Sequence, residues 1–386
     1  MSRIQDLIKE YGKNKNRKTY RDILAKIQTD EVLYSAFSPR TRGHFVDYVE
    51  GIPSAFLFSE KQYCEDFCRH VKESGHTVGI AECDRDSRLS MLSDYHRSGI
   101  ESVLIDNGKA HILIPLSDLI NVPDFSKIPE NQRPVINPAL VCSANRFFQC
   151  IENKTVTPDK EINFLSDAYN ARYIIPIEGK PEGNKVNIPS IGRSDGEKVI
   201  PFFTDINEYR KLDHEGKFNP VPATFAHIEN LCNEGEIVVL NPFGFNFTIT
   251  KETCEAIHRA VELAPQSDAE RAVIYTLEKM PEDITDKLSE LFDNDGRITR
   301  AFLKGMRKKS GSELIVSVDC GELAEDEVKA VLEEMKAETQ KYTDKTLNFV
   351  SSRSYIGGLA SSEIVPFFER FVVDVSIPPE NFDMGE

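Results

Sequence analysis

Cys64, Cys68, His70, His76 and Cys83 gather soft-metal ligand types into one short stretch, the chemistry that holds zinc. Cys64 and Cys68 are four apart, so on a helix they share a face. No Cys-x-x-Cys pair is present, and the spacing fits no common zinc module. Tyr63 and Phe67 flank the two thiols, which points instead to a helix face packed in a core. Asp293-Asn-Asp-Gly296 has the look of a calcium loop. With Gly296 as its sixth position, Leu291 and Phe302 fall where the first and last oxygen ligands belong, so it is read as a turn. Gly192–Lys198 lacks phosphate-loop spacing and precedes a strand, where such a loop opens a helix. Gly357 and Gly358, among Ser351, Ser352, Ser354, Ser361 and Ser362, read as an anion-tolerant loop. There is no Gly-x-Ser-x-Gly elbow, and no His is spaced to pair with a Ser. A hydrolase triad would have to assemble from distant parts of the chain. We expect no catalytic residue, no metal and no cofactor.

Asp205 and Asn241 are the polar residues of most interest. Each ends an apolar run: Val199-Ile-Pro-Phe-Phe203 leads to Thr204-Asp205, and Val238-Val-Leu240 leads to Asn241. Strand ends are where ligands are held in α/β sheets. The competing reading is structural: Thr-Asp is helix-capping chemistry and Asn-Pro starts turns. Capping is the expected role, with ligand contact as the alternative.

The elements that position these residues recur. Tyr20, Ile23, Leu24 and Ile27 repeat at helical spacing from Thr19. Val32–Phe37 reads as a strand stopped by Pro39. Glu50-Gly51 makes a turn, Ala55–Phe58 a buried strand, and Ser59 caps a helix with Tyr63, Phe67 and Val71 inward. Val103–Ile105 and His111–Pro115 flank Asp106-Asn-Gly108, a hairpin signal. After a Pro-rich linker over 123–138, the pattern returns. Thr157 and Pro158 open a helix, Arg172–Ile177 is a strand, and an Asp195-Gly196 turn precedes Val199–Phe203. The segments 236–240 and 245–249 then flank Asn241–Gly244, and Thr250 caps a closing helix. Gly51 to Phe58 and Gly196 to Phe203 are equally spaced, and Ser59-Glu60 answers Thr204-Asp205. Order and turn chemistry agree, so the first two-thirds of the chain is one unit used twice.

The last third differs. A Ser267–Glu270 capping box should open a helix with Ala272, Val273 and Leu277 inward. A second helix carries Ile284, Leu288 and Leu291. Arg297–Lys304 and Ser312–Asp319 read as strands, followed by a helix with Val328, Val331, Leu332 and Met335 inward. Residues 346–350 and 364–368 supply further strands. The fold class is α+β, with three mixed-sheet units in tandem at 17–122, 140–263 and 267–375.

Composition narrows the function classes. The 386-residue chain has a formal charge of -16, which repels phosphate backbones and anionic lipid, so neither nucleic acid nor membrane is an expected partner. Lys9, Lys13, Lys15, Arg17, Lys18 and Arg21 are a local exception, read as a solvated face. The start of the chain has no signal-peptide core, and no apolar run is long enough to span a membrane. The eight cysteines, scattered and without a secretion signal, suit free thiols in the cytoplasm.

Three features resemble the SseB, or enhanced-serine-sensitivity, proteins of bacteria. They are Tyr173-Ile-Ile-Pro176 with Ile200-Pro-Phe-Phe-Thr-Asp205; Val238-Val-Leu-Asn-Pro242 with Phe247 and Ile249; and Val365-Pro-Phe-Phe-Glu-Arg370. The resemblance implies an N-terminal-type domain over about 158–262, a C-terminal-type domain over about 268–371 and a diverged N-terminal-type copy before them. It transfers no reaction, cofactor or catalytic residue. The functional expectation is therefore a cytoplasmic, non-catalytic protein that binds another protein, through exposed sheet edges or the face around Pro366, Phe367 and Phe368. The alternative is a small-molecule or enzymatic site in a cleft between the repeats, using Asp205 and Asn241.

Overall fold

Runs of β-branched and aromatic residues form the inner strands of the sheets in the computed structural model. It describes residues 3–370 except 31, 124, 126, 130–131, 183–184, 194–195, 265–271, 309–310, 344 and 362–363. The chain divides into two units, 1–264 and 265–386. The expected Ser267–Glu270 capping box, Ser194-Asp195 of the turn before the central strand, the turn at Lys309-Ser310 and the tail from 371 lie outside the described residues.

The first unit holds two modules. The first runs α1 (Ile4–Asn14), α2 (Arg17–Thr29), β1 (Val32–Ser38), β2 (Gly43–His44), β3 (Val46–Val49), β4 (Ile52–Phe58), α3 (Lys61–Glu73), β5 (Gly79–Asp84), α4 (Arg88–Arg97), β6 (Ser102–Ile105), β7 (Ile112–Pro115) and α5 (Leu116–Leu119). The second runs α6 (Pro138–Asn153), α7 (Pro158–Asn170), β8 (Arg172–Glu182), β9 (Lys185–Asn187), β10 (Ile191–Gly192), β11 (Lys198–Phe202), α8 (Ile206–Leu212), β12 (Asn219–Thr224), α9 (Phe225–Asn233), β13 (Val238–Leu240), β14 (Phe247–Ile249) and α10 (Lys251–Leu263). Helix and strand follow in the same order in both.

The pairings agree as well. β4 lies parallel to β6, β6 antiparallel to β7, and β1 antiparallel to both β4 and β5. In the second module β11 lies parallel to β13, β13 antiparallel to β14, and β8 antiparallel to β12; Ile174 and Phe203 bridge β8 to the end of β11. β6 and β13 are buried along their whole lengths, as expected of inner strands covered on both faces. Alternation sorts the side chains. Leu57, Val103 and Ile105 face a core with Ile4, Ile8, Ile23, Ile27 and Tyr95, while Phe56, Phe58 and Leu104 face Cys64, Phe67 and Cys68 of α3. The α+β expectation is met.

Two helices go beyond the sequence expectations: α1 forms in the polar start of the chain, and α6 follows directly on the 123–138 linker. α1 buries Ile4, Leu7 and Ile8, an apolar stripe at i, i+3 and i+4. The basic residues from Lys9 to Arg21 stay exposed along the α1–α2 hairpin. α6 starts with Asn137 at its N-cap and Pro138 in its first turn, and it joins the modules. Leu140, Ala144 and Phe148 enter the second module's core, while Cys142 enters the first module's. Gln149 Nε2 donates to Val46 O at 2.8 Å, and Val46 N donates to Gln149 Oε1 at 3.2 Å, so the side chain pairs with β3 like a strand. Arg146 lies 4.0 Å from the Tyr48 ring centroid and 3.5 Å from Asp47.

The second unit holds β15 (Val273–Tyr275), α11 (Glu282–Asp295), β16 (Arg300–Lys308), β17 (Gly311–Asp319), α12 (Glu325–Thr339), β18 (Leu347–Ser351), α13 (Tyr355–Ser361) and β19 (Phe368–Glu369). Its sheet order is β15-β16-β17-β18, with β19 on β16. The expected helix around Val273 is a strand instead. Val273, Ile274 and Tyr275 pair with Arg307, Met306 and Gly305, and the Tyr275 ring covers Gly305, where a Cβ would sit 2.2 Å from it. A β-branched pair next to an aromatic favours a strand. Residues 364–367, expected as strand, precede β19 outside any regular element. α11 ends at Gly296, whose φ of 76° is left-handed, so the Asp293–Gly296 run is a helix stop.

Gly99 sets how closely α6 can approach the first module. Its φ is +72°, and a Cβ there would lie 2.3 Å from Pro138 O and 2.9 Å from Cys142 Cβ. Gly99→Ala should therefore destabilise the protein by about 2–3 kcal/mol, measured as a lowered urea midpoint. An unchanged midpoint would contradict this packing.

Candidate functional site

Asp205 and Asn241 sit together at the C-terminal ends of the parallel strands β11 and β13. Asp205 Oδ1 accepts from Asn207 N at 2.8 Å and Glu208 N at 3.1 Å, capping α8. Asn241 has a left-handed φ of 43°, which Asn tolerates better than most residues. Its Oδ1 accepts from Thr204 N at 3.0 Å, and its Nδ2 donates to Thr204 Oγ1 at 2.8 Å. Thr204 Oγ1 in turn donates to Asp205 Oδ2 at 3.1 Å. Asn241 N donates to Phe202 O at 2.9 Å. The three side chains form a clamp that holds strand end, turn and helix start together.

The first module carries the same clamp with an acid in place of the amide. Ser59 N and Oγ donate to Asp106 Oδ1 and Oδ2 at 2.7 and 2.8 Å. Asp106 N donates to Leu57 O at 2.9 Å, and its φ is 55°. Ser59 is therefore not the helix cap; Glu60 takes that position without a side-chain bond. Gln5 Nε2 adds a third donor to Asp106 at 2.6 Å. Asp106 is fully buried. Burial is the largest influence on its carboxyl and holds it above the usual carboxylate value; the Gln5 and Ser59 donors pull it down.

A cleft of about 200 Å³ opens beside the second clamp, where a single water needs only about 10–15 Å³ of such space. Thr41, Arg42, Gly43 and His44 form one wall, from the β1–β2 turn; α4 adds Asp94 and Arg97, and α6 adds Asn145. Thr204, Asp205, Asn207, Glu208, Lys211, Asn241 and Gly244 form the opposite wall. Arg97 pairs with Asp94. With its amide oxygen turned toward Arg97, Asn207 accepts from Nη2 and Nε at 2.6 and 3.2 Å, a bond from one module to the other. Lys211 Nζ lies 2.5 Å from Glu208 Oε1.

Several groups at these walls have no partner. Thr41 Oγ1 and Glu208 Oε2 are buried without a hydrogen bond. Asn145 is only 4% exposed, and its amide makes no hydrogen bond among the described residues. Both Asn145 Oδ1 and Thr41 Oγ1 lie 3.7 Å from where a Gly43 Cβ would be. Burial pushes the Glu208 carboxyl up; Lys211 opposes this and Asp205 adds to it. Burial lowers His44 to about 4, so its imidazole is neutral near pH 7. The ring packs edge-on against Tyr95 at 4.5 Å.

The other candidates lie elsewhere. Phe368 is buried in the second unit's core, 5.5 Å from Phe292, and Phe367 packs against the same core. Pro366 is half-buried, next to Val365, which is 81% exposed. Cys64 and Cys68 are core residues of α3, His70 is exposed, and His76 Nε2 bonds to Asn153 at 2.6 Å. Among the described residues, no group of three or more His, Cys, Asp or Glu is placed to hold a metal ion. Thr41, His44, Arg97, Asn145 and Glu208 were not visible as site residues in the sequence. For Asn145 the signal was the α6 pattern itself: Asn137-Pro138 followed by Leu140, Ala144 and Phe148.

The buried acid gives the clamp a pH signature. A carboxyl with a raised folded-state pKa lets the native state keep a proton that the unfolded chain has lost, so its stabilising contribution falls as pH rises through that window. Asp106→Asn removes the group. Its urea stability relative to the unmodified protein should rise from pH 4 to pH 7. A difference that stays flat or falls would contradict the assignment.

Comparison with known proteins adds a family. Residues 152–256 match the SseB protein N-terminal domain, and residues 268–370 match the SseB protein C-terminal domain; together these cover more than half of the chain. No curated protein matches. Among solved structures, Tic22 from Plasmodium falciparum aligns at 10% identity over 53% of this chain and 84% of that chain, with a TM-score of 0.16. Anabaena Tic22, described as protein transport, aligns at 10% identity over 64% and 98%, also with a TM-score of 0.16. Overlaps at that score carry no argument.

Proposed function

The chain belongs to the SseB family, and from that premise we propose that it is a non-catalytic binding protein. Its receptor site is the polar cleft between the two modules of the first unit. One observation carries this reading. The side chains of Thr204, Asp205 and Asn241 are committed to structural bonds, while Thr41 and Asn145, on the opposite wall, are buried with their hydrogen-bonding capacity unspent. Buried polar groups are normally paired, so unpaired ones lining a cleft favour a ligand.

The reading includes a diverged N-terminal-type module at 17–122, ahead of the N-terminal-type domain at 140–263 and the C-terminal-type domain at 267–375. It is supported by the repeated element order and by the Ser59–Asp106 clamp that answers Thr204–Asn241. It also includes a cytoplasmic location, which suits eight free, buried cysteines. A protein partner is a second reading, favoured by β18. This strand pairs with β17 on one side, and among the described residues no strand pairs with the other, which leaves an edge on which a partner strand can add.

Gly43 supplies the test of the cleft. A Cβ there would lie in ordinary contact, 3.7 Å from both Thr41 Oγ1 and Asn145 Oδ1, so a leucine would take up the part of the cleft beside them. Native mass spectrometry of the intact protein mixed with the small-molecule fraction of a cell extract should show a bound small molecule, and Gly43→Leu should lose it while keeping its circular dichroism. Identical spectra for the two proteins would contradict the reading.

A further inference from the structure

The chemistry of the cleft narrows what it holds. Its cations and anions are already spent on one another: Arg97 with Asp94, and Lys211 with Glu208, while Asp205 caps α8. Arg42 remains, exposed at the rim. A wall balanced in this way gives no strong preference to a net anion or a net cation. Besides Glu208 Oε2, whose carboxylate already pairs with Lys211 through its other oxygen, the unspent groups are of another kind. A hydroxyl and a carboxamide each donate and accept, and those of Thr41 and Asn145 both lie 3.7 Å from the Cβ position of Gly43 and line the same cleft. His44, neutral near pH 7, adds a ring that also donates on one nitrogen and accepts on the other.

We propose that the cleft binds a small, net-neutral or zwitterionic molecule through a hydroxyl or amide group seated between Thr41 and Asn145. This rests on the reading of the cleft as a receptor and goes on to name the ligand's class. It has a consequence that a purely structural role lacks. An unsatisfied buried hydroxyl destabilises the empty protein, and its replacement by an isosteric methyl is neutral or stabilising. Thr41→Val should therefore hold or raise the melting temperature without ligand, yet weaken binding.

The experiment is a thermal-shift and calorimetric titration of the full chain with named probes. L-Glutamine and myo-inositol represent the proposed class, inorganic phosphate and citrate the anions, and putrescine the cations. The expected result is stabilisation by glutamine or inositol. Thr41→Val should raise that probe's Kd about three- to tenfold, and Asn145→Leu about tenfold or more, since each removes one or two hydrogen bonds. If only phosphate, citrate or putrescine binds, and Gly43→Leu abolishes it, the receptor reading stands and the proposed class is overturned. If no probe binds, or binding is unchanged in all three variants, the cleft is not the site and both fail. A probe of the proposed class that binds with Thr41→Val and Asn145→Leu unaltered overturns the seat between those residues.

Discussion

The first unit depends on one side chain satisfying another segment's backbone. Gln149 lies on α6, whose apolar face belongs to the second module's core, yet its amide takes both hydrogen bonds of the Val46 peptide groups in the first module. A buried backbone edge left unpaired is expensive. Once Gln149 is in place, the geometry around it follows. Arg146 stacks on Tyr48, and Gly99 admits the chain at Pro138. Asn145, one turn of helix from Gln149, is brought to the β1–β2 turn. The cleft exists because α6 fixes two modules side by side instead of leaving them as beads on a linker.

Within each module the equivalent constraint is the clamp at the end of the parallel strands. A left-handed residue after the inner strand turns its side chain back onto the neighbouring strand's exit. This closes the open N–H at Ser59 or Thr204. Asn serves in one module and Asp in the other. The amide both donates and accepts, so it satisfies the Thr204 hydroxyl, which is then free to donate to the cap Asp205. The acid only accepts, so it draws a further donor, Gln5, from α1. One architecture thus gives two settings at the residue after the inner strand: an amide beside the cleft and a buried acid beneath a helix.

Much of this was legible in the sequence. The inner strands of the first unit, the Glu50-Gly51 turn and the correspondence of Ser59 with Thr204 and Asp106 with Asn241 are written in short-range pattern, because inner strands are continuous apolar runs and turns demand particular residues. Asp205 as a cap was legible for the same reason. What escaped was long-range. α1 and α6 are amphipathic stretches in polar surroundings or next to a Pro-rich linker, and their value lies in what they pack against. Ser59 has capping chemistry, but a distant carboxylate claims it. Val273–Tyr275 shows no strand alternation long enough to outweigh a neighbouring capping signal, and only the partner strand β16 decides it. Phe368 reads as a surface motif, yet Phe292 takes it into the core. The cleft residues Thr41 and Asn145 are ordinary alone and gain meaning only when α6 brings them together.

The most direct test of the central claim is a two-dimensional NMR titration that follows the Asn145 side-chain amide and the Thr41 backbone amide, with the bound small molecule added in steps. If the cleft between the modules is the receptor, these two signals, with those of Gly43 and Glu208, shift first and furthest, while those of β18 and the second unit stay still. Shifts that leave Thr41 and Asn145 unmoved and gather elsewhere would contradict it.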